Sequence, residues 1–286
     1  MTDRRPMACR AFYPGDCERA LEEFLGVRSS PADCPASLHA AVVPHAGWRY
    51  SGAVAADALA TLAERSSPST ILLFGAYHRP VTSRSVVDSS AAWETPLGDL
   101  AVDRELAARI AKDLDDLVEE NRAPHAAEHS LEVEAPMIRH LFPGAAIVPV
   151  LVLPQADPAR LGAEVARLID RERTDAVAVA STDLTHYGDR FHFAPVGYGA
   201  RAHRWMRAND AQILALVRRL DAEAIPAEAE SHCNACGPGA LAAAVAFARA
   251  RRARRGIVLA RTDSHEVTGQ GQPFTSAVGY AGAVLG

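Results

Sequence analysis

Residues able to bind a metal follow strand-like segments of the sequence, at the point where each segment ends. These are His45 after residues 38–43, His78 after residues 70–74, and Asp183 with His186 after residues 175–180. In open α/β sheets, side chains just beyond the carboxyl ends of the strands converge on the ligand crevice. Neutral imidazole is the commonest protein metal ligand. A single histidine after a strand more often serves a turn, so the prediction of a metal site depends on several sharing this position.

Cys236 is the strongest candidate for a further ligand. It lies in the segment 232–239, directly before a predicted helix, where a thiolate has a lowered pKa and binds metals better. Two such imidazoles and a thiolate or carboxylate would hold one divalent ion and leave positions open for substrate. Cys233 and Cys236 also form a Cys-x-x-Cys pair, which leaves structural zinc or redox chemistry as alternatives. The sequence contains no second pair of this kind, so a closed zinc site is weakly supported.

Further polar and aromatic residues surround these segments. Glu128-His129-Ser130-Leu131-Glu132 opens a predicted helix, in which His129 and Glu132 share a face. These two residues either orient a metal ligand or cap the helix. Aromatic residues beside the strand ends would line a pocket or pack in the core; they are Trp48, Tyr50, Tyr77 and Tyr187.

The elements that must position these residues alternate along the chain. Apolar runs predict strands at 38–43, 70–74, 145–153, 175–180, 256–261 and 276–285. Helical periodicity predicts helices at 51–64, 103–117, 128–141, 157–171, 199–220 and 237–252. Strands separated by helices indicate an α/β fold in which helices cover both faces of a mostly parallel or mixed sheet. We expect a single domain over residues 1–286.

Composition excludes several classes of function. The net charge of −5 and the pI of about 6.1 argue against a nucleic-acid or anionic-membrane binder. The arginine-rich segment 249–255 is typical of a helix C-terminus. The longest apolar stretch, 145–153, is too short to cross a bilayer, and we see no secretory signal. Five cysteines are better interpreted as reduced thiols than as a disulfide framework, so we expect a cytoplasmic protein.

Short motifs in a fixed order carry a resemblance to a known family. They are Pro44-His45-Ala46-Gly47-Trp48-Arg49-Tyr50-Ser51-Gly52, Gly75-Ala76-Tyr77-His78, Glu128-His129-Ser130-Leu131-Glu132, Ile147-Val148-Pro149-Val150-Leu151-Val152, Ser181-Thr182-Asp183-Leu184-Thr185-His186-Tyr187-Gly188 and Cys236-Gly237. Together they resemble the Memo family, also called AmmeMemoRadiSam system protein B. The resemblance implies a fold similar to class III extradiol dioxygenases of the LigB type. It also implies metal ligands at His45, His78 and Cys236, with Asp183 and His186 beside the metal.

The resemblance further implies iron(II) or copper as the ion, and zinc is chemically possible. The related dioxygenases use two histidines and a glutamate, so cysteine in the third place softens the ligand set and weakens the case for catechol cleavage. Some relatives carry a second histidine where this chain has Arg79. Cys233 is an additional thiol that could compete for the metal or form a disulfide with Cys236.

The leading hypothesis is an iron(II)-dependent, dioxygenase-like oxidoreductase that brings O₂ and a small organic substrate together at the metal. His186 would act as general acid or base, and Asp183 would orient His186 or a ligand. The alternatives are a non-catalytic redox or scaffold protein that binds iron or copper, and a metal-assisted hydrolase. The family's association with radical SAM and AMMECR1-like proteins implies a shared pathway.

Overall fold

Short apolar runs form the strands of this protein, and amphipathic or alanine-rich segments form its helices. The structure, a computed structural model, describes residues 4–5, 11–28, 34–269 and 271–286. The strands are β1 (Ala40–Val43), β2 (Thr70–Ala76), β3 (Ser85–Val87), β4 (Ala92–Trp93), β5 (Leu100–Ala101), β6 (Val118–Glu120), β7 (Ala146–Val152), β8 (Ala176–Ser181), β9 (His186–Tyr187), β10 (Gly256–Asp263) and β11 (Ala277–Leu285). The helices are α1 (Cys17–Leu25), α2 (Trp48–Ala63), α3 (Arg104–Asp113), α4 (Ala135–Leu141), α5 (Pro158–Glu172), α6 (Ala200–Arg219), α7 (Ile225–His232), α8 (Pro238–Ala250) and α9 (Ser264–Thr268). Single 3-10 turns occur at Pro124–Ala127 and Asp189–Phe191.

The main sheet is mixed, with its parallel strands at the centre. Its order is β10-β11-β1-β8-β2-β7-β3-β6, and β9 adds to β11. Strands β1, β8, β2 and β7 are parallel, whereas β11 is antiparallel to both of its neighbours. Strands β4 and β5 form a separate ribbon. The carboxyl ends of β1, β8 and β2 therefore lie side by side at one edge.

Helices cover both faces of this sheet, because alternate side chains of each central strand are apolar and buried. On one face, Val42 and Phe74 pack with residues from α3, α5, α6, α7 and α8. On the other face, Val43 and Leu73 pack with residues from α1, α2 and α4. The predicted α/β fold with a mixed sheet between helical layers is confirmed.

The predicted helix at 128–141 is wrong in its first half, since α4 begins only at Ala135. The carboxylate of Glu128 accepts hydrogen bonds from the amides of His129 and Ser130, which holds these residues in a turn. Such local bonds compete with helix formation.

Helices in the described parts of the chain all lack the combination of length and apolar character needed to span a bilayer.

Candidate metal centre

Three adjacent strand ends bring the predicted ligands together. His45 and His78 each stand two residues beyond β1 and β2, and β8 lies between these strands. The donor atoms of His45, His78 and Cys236 all lie within 4.8 Å of one another. Residues far apart in the sequence thus form one group of two imidazoles and one sulfur, a donor set suited to a transition-metal ion.

The position of Cys236 is fixed by hydrogen bonds to the residues that follow β8. Its amide donates to the carbonyl oxygen of Asp183 at 3.1 Å, and the amide of Asp183 donates to the Cys236 sulfur at 3.2 Å. The next amide, that of Gly237, donates to the hydroxyl of Thr182. A Cβ atom at Gly237 would stand 2.7 Å from the Ser181 carbonyl oxygen, so this close approach requires glycine.

The hydrogen bonds of His45 select its tautomer. The hydroxyl of Ser181 donates its proton to the carbonyl oxygen of Ser130 at 2.5 Å and lies 2.9 Å from His45 Nδ1. With that proton already used, the hydroxyl can only accept from Nδ1, so we assign the proton of His45 to Nδ1. The lone pair of Nε2 then faces the sulfur of Cys236 at 3.2 Å. Burial lowers the pKa of His45 well below its ordinary value, which keeps it in the neutral, ligating form.

Glu128 organises the other two histidines of the site. Its carboxylate accepts from the His78 amide at 3.1 Å and contacts His78 Nδ1 at 3.0 Å. Burial acts to raise the pKa of Glu128, but hydrogen bonds with His129 and His78 outweigh it and hold the pKa well below its usual range. Glu128 is therefore ionised and orients His78 as a carboxylate beside a metal-binding histidine does.

His129 completes a cluster of three imidazoles. Its ring stacks on that of His78, with centroids 5.1 Å apart, and meets the His45 ring edge-on at 5.4 Å. Phe12 covers the His129 ring at 4.7 Å. Donor atoms of His78, Glu128 and His129 form a second group compact enough to hold an ion, so His129 stands beside the candidate centre.

Asp183 contacts the loop of His45. One carboxylate oxygen accepts from the amides of His45 at 2.9 Å and Ala46 at 3.3 Å. Burial raises the pKa of Asp183 to about 7, although these amides act to lower it. The observed role of Asp183 is thus to hold the loop that carries a predicted ligand.

His186 lies on β9, which pairs with β11 beside the strand ends. Its Nδ1 stands 3.2 Å from the carbonyl oxygen of Leu184, which assigns the ring proton to Nδ1. Burial lowers the pKa of His186 to about 4, so the ring is neutral near pH 7. A neutral ring with an unprotonated Nε2 can accept a proton.

The thiol pKa of Cys236 differs from the sequence-based expectation. Burial, followed by the charge of Asp183, raises this pKa far above its ordinary value, whereas the position before α8 suggested a lowered one. Desolvation outweighs the helix terminus because neighbouring protein atoms surround most of this half-buried side chain. A cation at the donor atoms opposes both effects, since metal binding deprotonates a coordinating thiol. The donor set therefore fits a metal ion.

A cavity of about 590 Å³ opens over His45 and His78, whereas Cys236 lines a different pocket. Six of the predicted site residues line the cavity: His45, Tyr50, His78, His129, Asp183 and His186. The remaining wall includes Phe12, Arg190, Phe191, Ser264, His265 and Tyr280. A small organic molecule fits a cavity of this size.

Three of the predicted pocket aromatics lie in the protein interior instead. The Trp48 indole donates to a main-chain carbonyl, and the Tyr77 hydroxyl accepts a main-chain amide, both within the core on the α2 face. Tyr187 belongs to a separate apolar cluster, where its hydroxyl donates to a main-chain carbonyl. Strand-end aromatics with satisfied polar groups are thus packing residues here.

Glu132 also lies away from the cavity wall. It accepts a hydrogen bond from the Tyr13 hydroxyl at 2.9 Å and pairs with Arg4 at 2.8 Å. The irregular turn at 128–134 removes the helical face that it was predicted to share with His129. Glu132 therefore ties the N-terminal segment to this turn.

Arg79 and Cys233, the two residues at which the sequence differs from the family pattern, lie at the surface. Cys233 is exposed, and Cys233 and Cys236 are both free thiols. Arg79 is also exposed. Sequence reasoning missed the roles of Ser181 and Glu128, although both stand inside the quoted motifs.

Comparison with known proteins identifies the family of this chain. A family model described as Memo-like protein matches residues 4–284. The chain belongs to the Memo family. Proteins named MEMO1 family protein from Thermococcus onnurineus and Methanopyrus kandleri are 33% and 30% identical, with 99% of each chain covered. A third, from Caldivirga maquilingensis, is 29% identical over 98% of both chains.

Among solved structures, the uncharacterized protein JW3007 from Escherichia coli K12 has a similar fold to this Memo family chain. The TM-score is 0.53 at 13% sequence identity, over 85% of this chain and 99% of that chain. At this identity the similarity concerns the fold alone.

Proposed function

We propose that this Memo family protein is a mononuclear metal-dependent oxidoreductase in which His45, His78 and Cys236 hold the ion. The observation that carries the proposal is the convergence of these donor atoms within 4.8 Å of one another, with His45 and His78 on the wall of a ligand-sized cavity. Iron(II) is our first choice of ion, with copper and zinc as the alternatives, because imidazole suits all three.

When bound, a redox-active ion supplies a place where O₂ and an organic substrate react with each other. The protein supplies the rest. The Nδ1 proton of His45 is held by Ser181, and the carboxylate of Glu128 orients His78, so both imidazoles are preorganised. The cavity wall confines the substrate against these groups.

His186 is the proton acceptor in this proposal. It lines the cavity, it is neutral near pH 7, and its Nδ1 is engaged by the Leu184 carbonyl. Nε2 can therefore accept a proton from a substrate hydroxyl or thiol, and because the ring pKa is about 4 the resulting imidazolium is a comparatively strong acid that returns the proton readily. Asp183 keeps the His45 loop in place through its two amide hydrogen bonds.

Non-catalytic binding of copper or iron is the second candidate, and the Cys236 sulfur favours it because thiolate ligands select copper(I). Metal-assisted hydrolysis is less well supported. It requires a carboxylate base, and within the described residues the cavity wall offers Asp183, which already accepts two amides.

Metal analysis of variants tests the ligand assignment. After anaerobic purification and metal loading, His45→Ala and Cys236→Ser should lose bound metal, whereas the matched control Cys233→Ser should retain it, because Cys233 is an exposed thiol three residues away. Circular dichroism confirms that each variant is folded. Stoichiometric metal in both ligand variants would contradict the assignment.

O₂ uptake with a panel of organic substrates tests the catalytic part. His186→Ala should keep its metal but lose turnover, because a proton acceptor need not be a ligand. Full turnover in this variant removes His186 from the mechanism. Tight metal binding without O₂ uptake on any substrate would favour the non-catalytic alternative.

A further inference from the structure

The wall of the cavity carries a guanidinium that can attract an anion, that of Arg190. Among the described residues, its acidic and basic side chains other than histidine are Arg190 and Asp183, and one carboxylate oxygen of Asp183 is engaged by the amides of His45 and Ala46. The wall also contains five histidines: His45, His78, His129, His186 and His265. Three of these imidazoles use Nδ1 in contacts with Ser181, Glu128 and the Leu184 carbonyl, so the guanidinium of Arg190 is the group on the wall that is best suited to bind a negatively charged substrate.

Arg190 is held at the cavity by a short, ordered turn. The amide of Phe191 donates to the Gly188 carbonyl at 3.0 Å, and Gly188 has a φ of 117°, which favours glycine. The guanidinium carbon of Arg190 lies 4.5 Å from the centroid of the Phe191 ring. Stacking on an aromatic ring orients the flat guanidinium and leaves its N–H edge available.

The positive charge of Arg190 is not used in an ion pair within the described parts of the chain. The neighbouring Asp189 accepts instead from the hydroxyl of Tyr198. Arg190 is exposed and therefore places a solvent-accessible guanidinium, without a carboxylate partner among the described residues, on the wall of the cavity that contains His186. The Phe191 ring connects the two, because the His186 imidazole packs edge-on against it at 4.9 Å.

From this arrangement we infer that the substrate is a small organic carboxylate whose anionic group binds Arg190. A guanidinium matches a carboxylate in shape through two parallel hydrogen bonds. A single guanidinium balances one negative charge, whereas a phosphate dianion calls for more donors than Arg190 supplies. The ring faces of Phe12, Tyr50 and Tyr280 provide surface for an unsaturated or apolar body.

This inference rests on the proposed function in assigning the cavity to the substrate, but its test is a binding measurement that needs no turnover. Benzoate and its neutral isostere benzamide serve as probes, with calorimetric titration of the metal-loaded protein at low ionic strength. The variants are Arg190→Gln and the matched control Arg204→Gln, whose exposed arginine lies on α6. Metal content is measured on each sample.

We expect wild type and Arg204→Gln to bind benzoate about tenfold or more tightly than benzamide, and Arg190→Gln to lose this preference with unchanged metal content. Equal binding of the two probes by wild type, or an equal loss in both variants, would overturn the inference. If His45→Ala loses its metal but wild type shows no preference for benzoate, the proposed metal-dependent function stands. Only the inference that the substrate is a carboxylate is then rejected. Retained metal in the ligand variants refutes the metal centre independently of any probe.

Discussion

Replacing Ser181 with alanine tests how the structure prepares His45 for metal binding. The Ser181 hydroxyl donates to the Ser130 carbonyl at 2.5 Å and accepts from His45 Nδ1 at 2.9 Å, and all three residues are buried. Without the hydroxyl, the Nδ1 proton of His45 has lost its acceptor and the ring can adopt the other tautomer. That tautomer protonates Nε2, the atom that faces Cys236.

The magnitude follows from these two contacts. Loss of a partner that orients a metal-binding histidine lowers metal affinity about 10- to 100-fold, which corresponds to about 1.4–2.7 kcal/mol. The Ser130 carbonyl and the His45 ring nitrogen are also left buried without a partner, which costs stability of about 1–3 kcal/mol. We therefore expect Ser181→Ala to weaken both metal binding and the fold.

The assay compares two variants. Metal affinity is measured by competition with a chelator of known affinity, and the free energy of unfolding by urea titration. Ser85→Ala is the control, because the buried Ser85 hydroxyl accepts the Leu153 amide at 3.1 Å on a strand that carries none of the three predicted ligands. The control should lose stability but keep its metal affinity. If Ser181→Ala keeps the metal affinity of wild type while losing as much stability as Ser85→Ala, the tautomer argument is refuted.

Three further predictions concern the surroundings of the site. Glu128→Gln should weaken metal binding about tenfold in the same competition assay, because a neutral amide orients the neighbouring histidine less strongly than the ionised carboxylate. Burial lowers the pKa of His125 to about 4, so below its ordinary pKa of 6.5 the unfolded chain binds a proton that the folded chain excludes. Stability should therefore fall by about 2 kcal/mol between about pH 7 and about pH 5, relative to His125→Gln, in urea unfolding; parallel pH profiles would contradict this. Gly237→Ala should destabilise the fold by about 1–3 kcal/mol and reduce metal content, since the added Cβ meets the Ser181 carbonyl at 2.7 Å, whereas Gly15→Ala, with no atom within 4 Å of its Cβ, should do neither.

The fold was predictable because its central strands are apolar on both faces. Val43, Phe74 and Ala180 lie in short runs that bury alternate side chains in opposite cores. Such runs are typical of parallel strands between helices. Strands of two or three residues, such as β4 and β9, are too short to show a period. Their pairing depends on partners elsewhere in the chain.

The part of the candidate site that lies just beyond the carboxyl ends of strands could be predicted from the sequence. Sequence reasoning identified His45, His78 and Cys236, and the structure brings their donor atoms together; that they bind a metal stays a prediction. The role of Ser181 was not predictable, because a buried serine at the end of a strand has no local signature. Its importance comes from two partners that are distant in sequence.

The predictions about the pocket aromatics and about the thiol pKa of Cys236 differ from the structure for related reasons, because both depend on tertiary burial. Whether Trp48 faces a cavity or the core depends on the direction of the helix that follows, and α2 begins at Trp48 itself, which turns the indole inward. The pKa of Cys236 depends on burial and on the neighbouring Asp183, and no local sequence pattern reports either. A helix N-terminus lowers the pKa of a well-solvated thiol, but for the half-buried Cys236 desolvation has the larger effect.

The electrostatics of the candidate centre connect metal binding with folding. Burial lowers the pKa of His45 and raises the pKa values of Asp183 and Cys236, so each group favours its uncharged form. A cation at the donor atoms favours the thiolate and the carboxylate and leaves the imidazole neutral, so binding should release protons. Because the donor atoms come from the ends of β1 and β2 and the start of α8, they meet only in the folded chain. An ion bound there would stabilise the fold because it binds only the folded chain. It would also offset the cost of burying the polar donor groups of His45 and Cys236.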